Sequence, residues 1–237
     1  MPDMVVRDER GFNQVYAPSG STVLRAKRRN DWFVAEARRI GARRVLELGS
    51  GTGEAAAHVA AHLDAEIVAV DLSQAFIDHA RATHQAVNLT FERFDLLNDD
   101  PLRFGQFDLI FGNGILHHLV QQLNSVLTTM HRMTTPKGGA AFIEPNFNNP
   151  FCAFIFGTQV GRRWAKLEPD EMAFTPRELR QAFSGAGWNG VSVKTRDFLL
   201  PGLPNVISKP LLAIEPALEY FPVTSCIAQS HFVTARF

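Results

Sequence analysis

Across residues 43–144, short apolar runs alternate with amphipathic stretches, a rhythm that predicts βαβ units on a parallel sheet. Residues 45–48 read as a buried strand, and the alanine-rich residues 55–63 as the helix that follows. A second strand spans 67–70, and a helix over 73–84 places Ala75, Phe76, His79 and Ala80 at helical spacing. Strands three and four fall at 89–94 and 107–111; then come a helix over 124–133, a stop at 136–139 and a fifth strand at 140–144. Five strands joined by right-handed crossovers form an open twisted sheet, and ligands on such sheets bind beyond the carboxyl ends of the strands.

Beyond residue 144 the pattern loosens into an aromatic and Asn-rich connection over 146–170. Thr175, Pro176 and Glu178 supply an N-cap, an N1 proline and a capping-box acid for a helix reaching about residue 183. Two more strands are expected at 191–195 and 231–237, with a short helix near 207–220 in the proline-rich stretch between them, covering one end of the fold. A chain of 237 residues that is 46% hydrophobic suits one well-filled domain: a helical arm over 1–40, a ligand-binding core over 41–145 and an acceptor-side region over 146–237.

Charge narrows the partner. With 24 basic against 24 acidic residues there is no broad footprint for nucleic acid. The local cluster Arg25, Lys27, Arg28 and Arg29 reads as the solvated face of a helix. Cys152 and Cys226 build neither a disulfide framework nor a zinc knuckle, which fits a reducing, cytoplasmic setting. Residues 1–10 show no apolar leader, and the apolar stretch 198–223 is broken by five prolines, so no signal, anchor or stable membrane insertion is expected.

The strongest chemical signal is Glu47-Leu48-Gly49-Ser50-Gly51-Thr52-Gly53, placed between a strand and a helix. Glycines there allow a sharp turn and close approach to a ligand, while the helix start offers unpaired N–H groups. The dinucleotide fingerprint requires a third glycine where Glu54 stands, and Glu47 and Glu54 disfavour a pyrophosphate; a zwitterionic or cationic ligand suits the loop better. Asp71, with Leu72 beside it, ends the second strand, where a carboxylate accepts both hydroxyls of a ribose. Asp95, followed by Leu96, ends the third and suits an exocyclic adenine amine; Gly112-Asn113-Gly114 opens the end of the fourth.

These motifs, with Val70-Asp71-Leu72-Ser73, Phe107-Asp108-Leu109-Ile110, Leu116-His117-His118-Leu119 and Pro136-Lys137-Gly138-Gly139, resemble the class I S-adenosylmethionine-dependent methyltransferases, and among them the small type 11 group. The resemblance covers about residues 40–145. It implies a Rossmann-like, doubly wound α/β fold: a seven-stranded, mostly parallel sheet with a C-terminal antiparallel strand and helical cover segments. It also implies S-adenosyl-L-methionine as cofactor, with residues 49–53 along its methionine moiety, Asp71 at the ribose, Asp95 at the adenine, and residues 112–114 against the amino acid end. A weaker similarity, through Glu144-Pro145-Asn146 and residues 199–204, is to methyltransferases of glycan and natural-product pathways.

Methyl transfer from a sulfonium is an in-line displacement, so the protein mainly holds acceptor and methyl group together away from water. A hydroxyl acceptor calls for a general base, and His117 or His118 is the candidate, with Glu144 at the end of the fifth strand as a further acceptor-side group; the alternative is that the histidines pack or cap the helix. His231 is a weaker candidate base. His58 and His62, four apart on a helix, lack a third ligand, and no metal is expected. Phe12, Tyr16, Phe147, Phe151, Phe154, Trp164 and the segment near Leu200 are expected to wall an acceptor pocket, with Asn146, Asn148 and Asn149 as its directional groups. The expected reaction is methylation of a small-molecule acceptor, on oxygen in preference to nitrogen, and a homodimer remains open. A nicotinamide oxidoreductase and a non-catalytic nucleoside-binding module are the competing readings.

Overall fold

The computed structural model describes residues 4–7, 13–16, 20–199 and 203–237. The chain begins with a hairpin in which β1 (Met4–Arg7) pairs antiparallel with β2 (Asn13–Tyr16). In the arm expected to be helical over 1–40, the described residues form these two strands and then α1 (Gly20–Ile40). Both hairpin strands contain β-branched or aromatic residues, but at four residues each they are too short for periodicity to mark them.

The core then alternates as β3 (Arg44–Leu48), α2 (Glu54–His62), β4 (Glu66–Asp71), α3 (Gln74–Thr83), β5 (Leu89–Arg93), β6 (Phe107–Asn113), α4 (Leu123–Arg132) and β7 (Thr134–Pro145). Two helices that the sequence pattern does not predict follow, α5 (Pro150–Gly157) and α6 (Gln159–Ala165). Next come α7 (Pro176–Gly185), β8 (Asn189–Arg196), α8 (Asn205–Tyr220), α9 (Pro222–Ser225) and β9 (Ser230–Arg236). The capping box holds as expected: Thr175 accepts from the Glu178 N–H, and Glu178 accepts from the Thr175 N–H. α8 tolerates Pro210 and Pro216 in its interior, each of which removes one N–H from its hydrogen-bond ladder.

Seven strands form one sheet in the order β5-β4-β3-β6-β7-β9-β8, with β9 antiparallel to both its neighbours and the other pairings parallel. Alternation along the strands feeds two cores. Leu46, Leu48, Val68, Val70 and Ile110 face Val126, Leu127, Met130, Leu179 and Phe183 of α4 and α7. Val45, Ile67, Ala69, Leu109 and Phe111 face Phe33, Val34, Ala37, Val59 and Ile77 of α1, α2 and α3. The stop expected at 136–139 lies inside β7, where it survives as a break in register: Phe107 pairs with Thr134, but Leu109 with Gly139. Among the described residues no helix is long and apolar enough to cross a membrane.

Candidate active site

Leu48 ends β3, and the glycine loop then turns through left-handed backbone at Gly49 (φ 67°), Gly51 (φ 52°) and Gly53 (φ 90°). The Ser50 N–H donates to the Val70 carbonyl (3.0 Å), and the Gly51 N–H to Asp71 Oδ2 (2.9 Å). Asp71 Oδ1 accepts from the Ser73 N–H at 2.8 Å, so one carboxylate braces both the glycine loop and the start of α3. A cavity of about 550 Å³ opens at the carboxyl ends of β3, β4 and β6. Of the residues singled out from sequence, Glu47, Gly49, Ser50, Gly51, Asp71, Leu72, Asp95, Leu96, Asn113 and His118 line it.

Gly53 and Gly112, expected at the ligand, are not among the residues that line the cavity. A Cβ on Gly53 would lie 2.7 Å from the Phe91 ring; one on Gly112 would meet Ile115 at 2.7 Å and Phe142 at 2.8 Å. Both glycines serve close packing of loop and strand. Ala26 and Asn30 of α1 and Glu168 also line the cavity; sequence reasoning missed them because they come from segments far from the motifs.

The cavity wall is acidic. Glu47, Glu54, Asp71, Asp95 and Glu168 line it, and no Lys or Arg does so among the described residues. Burial pushes the Glu47 carboxyl well above its ordinary range against the opposing bond from the Ala56 N–H, and repulsion from Glu54 and Asp71 adds to the rise. Glu47 Oε2 is buried without a hydrogen-bond partner. Asp95 is held low: burial works against its charge, but the Asn98 amide and the Leu97 and Asn98 N–H groups outweigh it. A ligand carrying positive charge relieves this wall, and an anionic one aggravates it.

Beside the cavity, Leu116–His118 form a single 3₁₀ turn ahead of α4. Glu144, 1% exposed, accepts from the N–H groups of Ile115 (3.1 Å), Leu116 (2.8 Å) and His117 (3.2 Å), and its Oε2 lies 2.9 Å from His117 Nδ1. His118 Nδ1 lies 3.4 Å from Glu171 Oε1. Burial disfavours the His118 cation, yet Glu171, with Glu144 and Glu168, raises its pKa above the ordinary histidine value. His117, His118 and Glu171 offer ligand atoms within 4.8 Å of one another, the one such metal-capable group found among the described residues. Its members are already engaged, His117 with Glu144 and His118 with Glu171.

Other expectations change. The basic cluster on α1 is not a solvated face: Lys27 is 65% exposed, whereas Arg25, Arg28 and Arg29 are ion-paired to Asp197, Glu215 and Glu219. His231 is fully buried, bonded to Thr195 Oγ1 and the Phe174 carbonyl, and burial lowers its pKa to about 4, which makes it a core residue. His58 and His62 stack at 4.3 Å and bond to Asp31 and a helix carbonyl respectively. Phe147, Phe151, Phe154 and Trp164 are exposed outside the cavity. Asn146 is tied to the carbonyls of Cys226 and Ala228, and Asn149 caps α5; neither is left over as a directional group. Phe12 and Leu200 lie outside the described residues, as does the side chain of Tyr16.

Comparison with known proteins is consistent with this site. Residues 46–140 match the family model Methyltransf_12, a methyltransferase domain; the class is the one expected, with type 12 in the place of type 11. The PKS-NRPS hybrid synthetase cheA of Chaetomium globosum is 32% identical over a 159-residue alignment that covers 60% of this chain and 3% of that protein. Curated relatives of this kind are far longer, and the chain spans 3–7% of the first of them. Human N-acetylserotonin methyltransferase in complex with SAM superposes with TM-score 0.59 at 16% identity, covering 87% of this chain and 51% of that one. The N-terminal domain of EvdMO1, in the presence of SAH and D-fucose, gives 0.59 at 16% identity, covering 99% and 91%.

Proposed function

We propose that this chain is a class I, S-adenosylmethionine-dependent methyltransferase, a reading supported by the methyltransferase-domain match over residues 46–140, and that it methylates a small-molecule acceptor, on oxygen in preference to nitrogen, in glycan or natural-product biosynthesis. The observation that carries the reading is the acid-lined cavity at the carboxyl ends of the strands, with the buried, unpartnered Oε2 of Glu47 in its wall. S-adenosyl-L-methionine supplies an electrophilic methyl group on a sulfonium, and its two cationic centres suit that wall. Asp71, which braces the loop from the end of β4, is assigned to the ribose hydroxyls. Asp95, with Leu96, is assigned to the adenine side, Glu47, Gly49, Ser50 and Gly51 to the methionine side, and Leu72 to the wall between.

His117 is the proposed base. Its Nδ1 faces Glu144, so the neutral ring donates from Nδ1 and keeps the Nε2 lone pair for an acceptor proton. Glu144 is a positioning group: it fixes the tautomer and, through three backbone N–H bonds, the turn that carries the ring. His118, at the cavity wall and paired with Glu171, is assigned to steering the acceptor. The names of the relatives, polyketide synthases among them, support a small biosynthetic acceptor. A single-domain organisation and a cytoplasmic setting are part of this reading.

Calorimetry with S-adenosylmethionine, S-adenosylhomocysteine and NAD tests the cofactor, and an acceptor panel with labelled methyl donor tests turnover. Binding of the first two without NAD, with product on a hydroxyl, is expected; cofactor binding without product from any acceptor would favour a non-catalytic module.

A further inference from the structure

The ionic groups on α1 do more than fasten a helix. Ala26 and Asn30 of α1 line the cavity, and between them in sequence Arg29 turns the other way, into a fold interior that it shares with Asp197 and Ser230. Arg29 Nη2 lies 2.6 Å from Asp197 Oδ2 and 2.5 Å from Ser230 Oγ, while Nη1 donates to Asn113 Oδ1 at 3.1 Å. Asn113 ends β6 and lines the cavity. A guanidinium has no acceptor, so the amide atom it meets must be oxygen, and the NH2 of Asn113 is left as the group offered to the cavity.

The charges around Arg29 make that orientation more than a packing detail. Asp197 Oδ2 is shared with Arg25 at 2.7 Å, so two cations lean on one carboxylate. Burial, then repulsion from Arg25, lowers the Arg29 pKa to about 10 against the pull of Asp197, which leaves it cationic at neutral pH with its charge incompletely matched. Among the described residues the cavity wall carries five acids and no Lys or Arg. An anionic group on a bound ligand is therefore favourably placed on the Asn113 side, where a donor backed by a guanidinium replaces a carboxylate.

Resting on the proposed function, we infer that Arg29 is a positioning residue which, through Asn113, seats the carboxylate of the cofactor's amino acid end. The same residue ties that seat to the distal cover. Arg28, its neighbour, pairs with Glu215 at 2.5 Å and Glu219 at 2.6 Å on α8, and Glu219 also accepts from the Asp197 N–H at 2.9 Å. The route from α8 to the cavity runs through Glu219, Asp197, Arg29 and Asn113, each step a hydrogen bond.

The test compares two ligands that differ in the amino acid end. S-adenosylhomocysteine has the carboxylate; 5′-methylthioadenosine keeps the nucleoside and sulfur but lacks it. In calorimetry on the whole chain, Arg29→Met should weaken S-adenosylhomocysteine about tenfold or more and leave methylthioadenosine within about twofold. Asn113→Ala should give the same selective loss, and the double variant should be no worse than the more affected single variant. Should Arg29→Met fail to fold by circular dichroism, Asn113→Ala alone decides. Equal losses for both ligands, no loss for either, or additive losses in the double variant would overturn the inference alone. Wild-type protein that binds neither ligand removes the proposed function and this inference together.

Discussion

His117 and Glu144 meet at 2.9 Å between imidazole Nδ1 and carboxylate Oε2, and the same carboxylate gathers three consecutive backbone N–H groups, those of residues 115–117. A strand end in this way holds both the turn that carries the ring and the ring itself. Burial of Glu144 at 1% exposure keeps water from competing for those bonds. The histidine is thereby fixed in tautomer and direction before any acceptor arrives, which is what the general-base role proposed for it requires.

Replacing His117 by Ala should therefore lower kcat on a hydroxyl acceptor by about 10²–10⁴. Affinity for S-adenosylhomocysteine should stay near wild type, because His117 is not part of the cavity lining. Glu144→Gln should cost less in rate but lower the melting temperature as well, since its NH2 cannot accept from the turn. Initial rates beside calorimetry separate the two; a cofactor affinity that falls with kcat would place His117 at the cofactor instead.

Asp71→Ala removes the proposed ribose partner and a strut together. Gly51 and Ser73 both lose an acceptor for their N–H groups, so the glycine loop loosens even without ligand. Cofactor affinity should drop by about thirtyfold or more, with the unliganded protein melting lower but still cooperatively. Calorimetry and a thermal scan on the same sample check both parts; unchanged affinity would remove the central site assignment.

Legibility of this fold in the sequence follows the range of the interactions involved. The strands at Val45, Ile67 and Leu109 and the helices between them are set by local periodicity, and they lie where the pattern puts them. So does the capping box at Thr175, whose partner is three residues away. The partners of Arg25 and Arg29 lie 172 and 168 residues off at Asp197, which no local pattern reveals, so a buried ionic cluster reads as a solvated face. Gly51 and Gly53 look alike in sequence, and what separates them is the Phe91 ring against one and the Asp71 carboxylate against the other. The apolar run in α5 shows little sidedness, with Cys152 as its one buried residue, which hides a helix from periodicity.

Gly53 gives a stability prediction that its motif alone would not. At φ 90°, with a Cβ position 2.7 Å from the Phe91 ring and 3.0 Å from Ala80, Ala is both strained and overpacked. Gly53→Ala should destabilise by about 2 kcal/mol, lowering the melting temperature by roughly 4–8 °C. A melting temperature unchanged within error would show that the loop has room the structure denies.

Chelation should leave the reaction intact. His117 and His118 lie near Glu171 with ligand atoms within 4.8 Å, but each histidine already faces a carboxylate, and the proposed base needs its Nε2 lone pair. Dialysis against EDTA should not change the rate, and added zinc should inhibit by occupying that lone pair. A rate lost on chelation and restored by a divalent ion would recast the histidine pair as a metal centre.

His231 makes stability depend on pH, and its sign is opposite to that of His118. Fully buried between Thr195 Oγ1 and the Phe174 carbonyl, its pKa is lowered from 6.5 to about 4, chiefly by burial. The folded state thus prefers the neutral ring, while the unfolded chain takes up a proton as pH falls through 6.5. Its contribution is complete above pH 6.5 and is lost progressively toward pH 4, with up to about 3 kcal/mol at stake from the size of that shift. His118, whose pKa is raised by Glu171, gains stability over the acid side of its own titration and works against that loss. Asp197, held below the ordinary carboxylate range despite its burial because Arg29 and Arg25 outweigh that cost, loses its contribution only at still lower pH. His231→Gln keeps a donor for the Phe174 carbonyl and removes the titration, so it isolates one of the three. Urea midpoints measured between pH 7.5 and about pH 4.5 should fall more steeply for wild type than for the variant. Parallel curves would mean that the ring takes its proton without leaving the core, and the burial argument for His231 would fail.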